Sequence, residues 1–221
     1  MKRGGADPQL TVEIKKQEWE LTLEGEPVLC CLMTRPECGG TWRGLEAINR
    51  YYVRVAQVWQ ERWKREVYVR ACLDLADRRA QGKPFHPWQA SLTTQITYQS
   101  DGLLSLFQDG TEQAGHDRPV TARRGDTWSL ETGAPLSLGW FLGKTRRWKG
   151  RVRKQMEEQA AQRLASGESL LDTDCRDKMR ALFDVRRFYR TEQGIRMFFP
   201  MYALGPSVEG IPVFDIPLSA E

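Results

Sequence analysis

Trp42-Arg43-Gly44-Leu45-Glu46-Ala47-Ile48-Asn49-Arg50-Tyr51-Tyr52-Val53-Arg54-Val55-Ala56-Gln57-Val58-Trp59-Gln60-Glu61-Arg62-Trp63-Lys64-Arg65-Glu66-Val67 sets the architecture of this chain. Leu45, Ile48, Tyr52, Val55, Trp59, Trp63 and Val67 recur at steps of three or four, which is the spacing of one helical stripe. Arg50, Arg54, Gln57, Glu61 and Lys64 fall on the other side. The pattern predicts one helix from about Trp42 to Ala80, stopped by Gly82 and Pro84 and packed with its stripe on a sheet. A sugar-stacking platform is the competing reading of the tryptophans; at this helical spacing core packing is favoured.

Upstream, Thr11 to Lys15 and Trp19 to Leu23 alternate apolar with polar residues, as half-buried strands do. Gly25-Glu26-Pro27 is read as a turn. Val28 to Met33 is a continuous apolar run, expected to be a strand buried on both faces, and Pro36 to Gly40 a loop. Downstream, Ala90 to Tyr98 is a strand placing Leu92, Thr94, Ile96 and Tyr98 on one face, and Ser100-Asp101-Gly102 is a hairpin turn into Leu103–Phe107. Pro119 to Leu130 reads as a strand broken near Gly125-Asp126. A helix from about Lys144 carries Trp148, Val152, Met156, Ala160 and Leu164 at steps of four and stops at Gly167. A shorter helix spans about Thr173 to Phe183, capped by Asp172 or Thr173. A hairpin around Thr191-Glu192-Gln193 and a last strand at Val213–Ile216 close the chain. Strands and helices come in blocks, so the expected class is α+β: antiparallel sheets, a long amphipathic helix in an N-terminal part (10–90), and two helices in a C-terminal module (91–217).

With 221 residues, 40% of them hydrophobic and 28% charged, the chain has material for a packed core. No run of about 18 apolar residues occurs, so no spanning helix and no membrane insertion are expected. Met1 to Pro8 holds basic residues with no apolar run behind them, so no secretory signal is read there. The net charge is +4, yet Lys144, Arg146, Arg147, Lys149, Arg151, Arg153 and Lys154 supply seven positive charges; removing those seven from +4 leaves the rest at −3. One basic segment therefore sets the sign. It is read as a solvated helix face, with a polyanion or nucleic-acid patch as the less favoured alternative. The five cysteines have irregular spacing and no C-x-x-C, and the histidines are His86 and His116. Neither a disulfide framework nor a zinc site is expected, and reduced thiols point to a cytoplasmic protein.

No catalytic motif emerges. Gly139-Trp140-Phe141-Leu142-Gly143-Lys144-Thr145 is one residue short of a phosphate-binding loop, and its apolar interior belongs in a core. Asp172-Thr173-Asp174 suits a helix start rather than a catalytic pair. His116, in Ala114-Gly115-His116-Asp117, could serve as a general base, but no nucleophile is recognisable beside it.

From Phe188 the sequence reads Phe188-Tyr189-Arg190-Thr191-Glu192-Gln193-Gly194-Ile195-Arg196-Met197-Phe198-Phe199-Pro200-Met201-Tyr202-Ala203-Leu204-Gly205-Pro206, then Ser207-Val208-Glu209-Gly210-Ile211-Pro212-Val213-Phe214-Asp215-Ile216-Pro217. This resembles the C-terminal module of the bacterial RsiV-like family of domains of unknown function. Members include the extracytoplasmic part of lysozyme-sensing anti-sigma-V factors, and the module also accompanies some peptidoglycan deacetylase domains. Gly102 to Leu106, Gly115-His116 and Trp128 to Gly133 agree with the family in order. The resemblance covers roughly Ser91 to Pro217. It implies an α+β fold, no known catalytic set and an extracytoplasmic setting. The histidine-rich metal motif of the deacetylases is missing here.

These readings converge on a non-catalytic binding or sensing module, without cofactor or metal, whose ligand is a protein or a cell-wall (peptidoglycan) component. The candidate binding residues are His116, Tyr202, Lys144, Arg146 and Arg147, together with the loop Ala203–Pro212. An enzyme acting on cell-envelope glycan through His116 and a binder of nucleic acid through Lys144–Lys154 are the alternatives.

Overall fold

The computed structural model describes residues 9–143 and 146–218. Two long strands open the chain, β1 (Leu10–Leu23) and β2 (Glu26–Gly40). The helix follows as α1 (Leu45–Arg62), a π-helical turn (Trp63–Val67) and α2 (Tyr68–Ala80). Next come β3 (Trp88–Ser100), β4 (Leu103–Gln113) and β5 (Val120–Ser129), which complete a sheet of order β1-β2-β3-β4-β5. β2 and β3 pair in parallel, because the helix carries the chain back to the end of the sheet where β2 began; the other neighbours are antiparallel. Then follow α3 (Leu138–Leu142), α4 (Trp148–Ser166), α5 (Cys175–Leu182) and a second sheet, β6 (Phe188–Thr191), β7 (Gly194–Phe198) and β8 (Val213–Pro217).

The class is thus α+β, in four layers. The long helix covers one face of the large sheet through Tyr52, Trp63, Val67, Ala71 and Leu75. The small sheet meets the opposite face: Arg190 N–H donates to Ser105 Oγ at 2.8 Å, Thr97 Oγ1 donates to Arg190 O at 2.7 Å, and Tyr189 packs on Phe107. α4 and α5 cover the far side of the small sheet through Val152, Met156, Ala160 and Met179. The expected division at residues 90 and 91 falls inside β3, so strands from both sides of it share one sheet. No helix among the described residues is long and apolar enough to cross a membrane.

The π-turn explains how so long a helix stays on one sheet. At roughly 100° per residue, an uninterrupted α-helix would leave Leu75 roughly 140° away from Tyr52. One extra residue in a π-turn removes roughly 100° of that drift. Tyr52 and Ile48 then face the sheet together with Val67, Ala71 and Leu75, all buried. Steps of three and four do not announce this insertion. The helix begins at Leu45 rather than Trp42, with Gly44 as its N-cap residue. Trp63 is fully buried, whereas Trp59, expected in the core, is only half-buried.

Other corrections share one origin, pairing across the sheet. Pro36 to Gly40 is strand, not loop: Cys38 N–H donates to Asn49 Oδ1 and Asn49 Nδ2 donates to Cys38 O, both at 2.8 Å, so a helix side chain replaces the missing strand neighbour. The first turn is Glu24-Gly25, with Pro27 already in β2. β2 is not buried on both faces, since Cys31 and Met33 face the helix while Cys30 and Leu32 stay half-buried opposite. A bulge between Ile96 and Tyr98 turns Tyr98 to the opposite face from Ile96, where Arg190 lies over its ring. β5 runs unbroken through Gly125. That glycine lets the small sheet approach, because a Cβ there would lie 2.2 Å from the Phe188 carbonyl oxygen. α4 starts at Trp148, and α3 precedes it. α5 begins after Asp174 without a side-chain cap; Asp172 and Asp174 instead hold Lys178 at 2.6 and 2.9 Å.

Candidate binding site

Three strands, β3, β4 and β5, and the helix α1 build the candidate site. Along β4, Leu104, Leu106, Gln108 and Gly110 face the helix, so a buried glutamine stands where the pattern calls for an aliphatic residue. Gly110 and its partner Ala122 on β5 are both small, which keeps the sheet surface low. Trp59 descends onto Gly110, where a Cβ would lie 2.2 Å from the indole. Between α1 and this part of the sheet a groove of about 400 Å³ remains, lined by Val55, Val58, Trp59, Leu92, Gln108 and Ala122, with Tyr51, Arg54 and Arg124 along its rim. Val58 is 68% exposed although it is apolar.

Gln108 is 2% exposed, and its orientation follows from its neighbours. Thr94 Oγ1 donates to Thr34 O at 3.0 Å, so its proton is committed. It can only accept from Gln108, whose Nε2 donates to it at 2.9 Å. The Gln108 carbonyl must then point the other way, and Oε1 is buried without a partner among the described residues. A buried acceptor left unpaired costs about 1–3 kcal/mol, so a polar group of this kind calls for an explanation.

A second polar cluster adjoins the rim. Trp128 Nε1 donates to Tyr52 Oη at 2.8 Å, and the hydroxyls of Tyr51 and Tyr52 donate to Asp126 Oδ2 at 3.4 Å. Arg124 Nε reaches both Asp126 oxygens at 3.2 Å, and its guanidinium lies over the Tyr51 ring. Burial raises the Asp126 carboxyl above the usual aspartate range, against the opposing pull of Arg124. Burial likewise pushes the Tyr51 and Tyr52 phenols up. A raised folded-state value means that folding favours the protonated acid. This contribution is therefore present at pH below the unfolded aspartate value and is lost as pH rises through the folded one. Asp126→Asn is expected to remove that dependence. The urea-midpoint difference between variant and wild type should shift in favour of the variant as pH rises from about 4 to 7. A difference that is flat or reversed would mean that Asp126 is charged in the fold throughout.

The residues singled out in the sequence lie elsewhere. His116 is exposed and its ring lies tilted against that of His86, 3.8 Å between centroids. No group of three or more His, Cys, Asp or Glu suited to a metal forms among the described residues. Tyr202 is 49% exposed with φ 67°, a left-handed conformation uncommon for so large a side chain. Its loop is tied to the start of β5: Arg118 Nη1 donates to Ser207 Oγ at 2.9 Å, and Thr121 N–H to Met201 Sδ at 3.3 Å. The loops carrying His116 and Tyr202 are thereby brought near one another. Arg146 and Arg147 are exposed in the turn that leads into α4, and no hydrogen bond or ion pair among the described residues links them to either loop. Lys144 lies outside the described residues. Farther along the basic segment, Lys149 sits over Trp148, Arg153 over Phe183, and Lys154 pairs with Glu158 at 3.6 Å.

Residues 146–219 match the model of the DUF3298 family, described as a protein of unknown function. The matched stretch holds α4, α5 and the small sheet, so the groove residues lie outside it. Beyond it, solved structures extend the likeness to nearly the whole chain. A member of the DUF3298 family from Bacteroides fragilis is 14% identical, with a TM-score of 0.66 over 95% of this chain and 91% of that one. A DUF3298 family protein from Pseudomonas aeruginosa is 18% identical, with a TM-score of 0.59 over 96% of this chain and 93% of that one. At such identities these likenesses establish the fold alone. No curated protein matches the sequence.

The groove residues Gln108, Arg54 and Arg124 were not among the sequence candidates, and Trp59 was assigned to the core. A signal for Gln108 did exist: a glutamine following Leu104 and Leu106 at the spacing of one strand face. Its lack of a partner depends on Thr94 and Thr34, remote in sequence.

Proposed function

We propose that this protein is a non-catalytic binding module whose ligand site is the groove between α1 and strands β3 to β5. One observation carries the reading: Gln108, whose Oε1 is buried with no partner among the described residues, lines a mainly apolar groove. A ligand that supplies a donor there and covers Val58 would relieve both features. The RsiV-like resemblance of residues 188–217 supports a sensing role, with a protein or a cell-wall component as ligand. His116 lies on a different loop and has no part in the site.

The test uses lysozyme and soluble muropeptides as probes, with binding followed by calorimetry. Ala122→Trp places a large side chain on an exposed floor position. Binding of at least one probe to the wild type is expected, weakened about tenfold or more by Ala122→Trp, with the muropeptides recovered uncleaved. Binding by neither probe, or binding indifferent to Ala122→Trp, would overturn the assignment. Cleavage abolished by His116→Ala in a folded protein would make it an enzyme instead.

A further inference from the structure

The chemistry of the groove is specific enough to name a class of ligand, an inference that rests on the groove being the binding site. Three features line the same groove. The first is an acceptor needing a donor, Gln108 Oε1. The second is an apolar wall of Val55, Val58, Trp59 and Leu92. The third is positive charge: Arg124 stands directly opposite Gln108 across the β4–β5 ladder, and Arg54 lies on the helix side of the same rim. Arg54 forms no ion pair with any described residue. Arg124 uses Nε on Asp126 and leaves its terminal nitrogens without a described hydrogen-bond partner.

We infer that the groove receives the C-terminus of a partner protein ending in a large apolar residue. The backbone N–H of that residue donates to Gln108 Oε1. Its side chain lies against Val55, Val58, Trp59 and Leu92, and its carboxylate faces Arg54 and Arg124. Gln108 and Arg124 are cross-strand neighbours, about 5 Å apart at Cβ, so one terminal residue can lie between their side chains. Capture of a terminal carboxylate is an established mode of peptide recognition, and fork-shaped guanidinium groups suit it. The volume of about 400 Å³ holds a leucine or phenylalanine side chain with room to spare, more than an alanine needs.

The probes are acetyl-Gly-Ser-Gly-Leu as the free acid, the same peptide as C-terminal amide, and a version ending in D-Ala to represent a cell-wall peptide. Calorimetry should show binding of the free acid, with the amide and the D-Ala peptide each weaker by about tenfold or more. Gln108→Leu keeps the bulk and removes the acceptor. It should fold with a melting temperature within about 5 °C of wild type and bind the free acid about tenfold more weakly. Arg54→Gln should weaken the free acid several-fold and leave the amide unchanged. Equal binding of acid and amide, preference for D-Ala, or full binding by Gln108→Leu would each overturn the inference. If the peptides fail while Ala122→Trp still blocks lysozyme or muropeptide binding, the groove remains the site and only its ligand class is wrong.

Discussion

Ending the chain at Pro212 is expected to leave no cooperatively folded protein. The removed segment includes β8, which pairs with β7 from Gly194 to Phe198. Phe214 and Ile216 are buried on the α4 side, with Phe199 edge-on to Phe214 and Arg163 above its ring. Gln159 of α4 grips the strand twice: its Nε2 donates to Asp215 O at 2.7 Å, and its Oε1 accepts from Asp215 N–H at 3.1 Å. Fully burying each of the two large side chains is worth about 1.5–3 kcal/mol. Truncation would also remove the Gln159 bonds and the β7–β8 ladder, each hydrogen bond contributing about 0.5–1.5 kcal/mol net. Domain stabilities are about 5–15 kcal/mol, so the loss is comparable with the whole margin. Far-ultraviolet circular dichroism with a thermal melt checks it. A soluble product with unchanged melting temperature would show that β8 is dispensable.

Trp63→Ala is expected to cost about 3–5 kcal/mol, among the largest losses available to a single side chain here. Trp63 opens the π-turn, is fully buried, and packs between Trp19 and Trp59 at 5.7 and 6.0 Å between centroids. Its removal leaves a cavity between helix and sheet at the point where the helix changes pitch. The Nε1 donor of Trp63 has no partner among the described residues, so Trp63→Phe should lose much less, because it removes an unpaired polar atom along with some bulk. Trp59→Ala, at a half-buried position, should cost about 1–2 kcal/mol. Urea denaturation of the three variants tests the order. A loss for Trp63→Ala no larger than that for Trp59→Ala would mean that the helix does not seat on the sheet at the π-turn.

Much of the fold was legible because its signals are local. The helical stripe depends on residues three and four apart, and the Asp101-Gly102 turn on two adjacent positive φ angles, 55° and 70°. The stop at Gly167 needs one left-handed residue, with φ 70°. The alternation of Val213 to Ile216 needs only a period of two, and the strand is there with Phe214 and Ile216 buried. What was not legible depends on partners. Pro36 to Gly40 contains a proline and two glycines and looks like a loop until Asn49 supplies the missing strand's hydrogen bonds. Gly125 looks like a break until Phe188 passes over it.

The division follows from range. Periodicity, turns and caps are set by neighbours along the chain, so the α+β class, the long helix and the final strand were determined by sequence alone. The site was not. Gln108 is an ordinary strand glutamine until Thr34 commits the proton of Thr94 and so turns the amide. Trp59 belongs to a core stripe until the π-turn and Gly110 leave it half-exposed beside a groove. His116 drew notice because it is a histidine, yet its loop carries it to His86 and away from that groove. An unpaired buried acceptor is defined by which partners fail to arrive in space, and only the packing of α1 against β3 to β5 decides that.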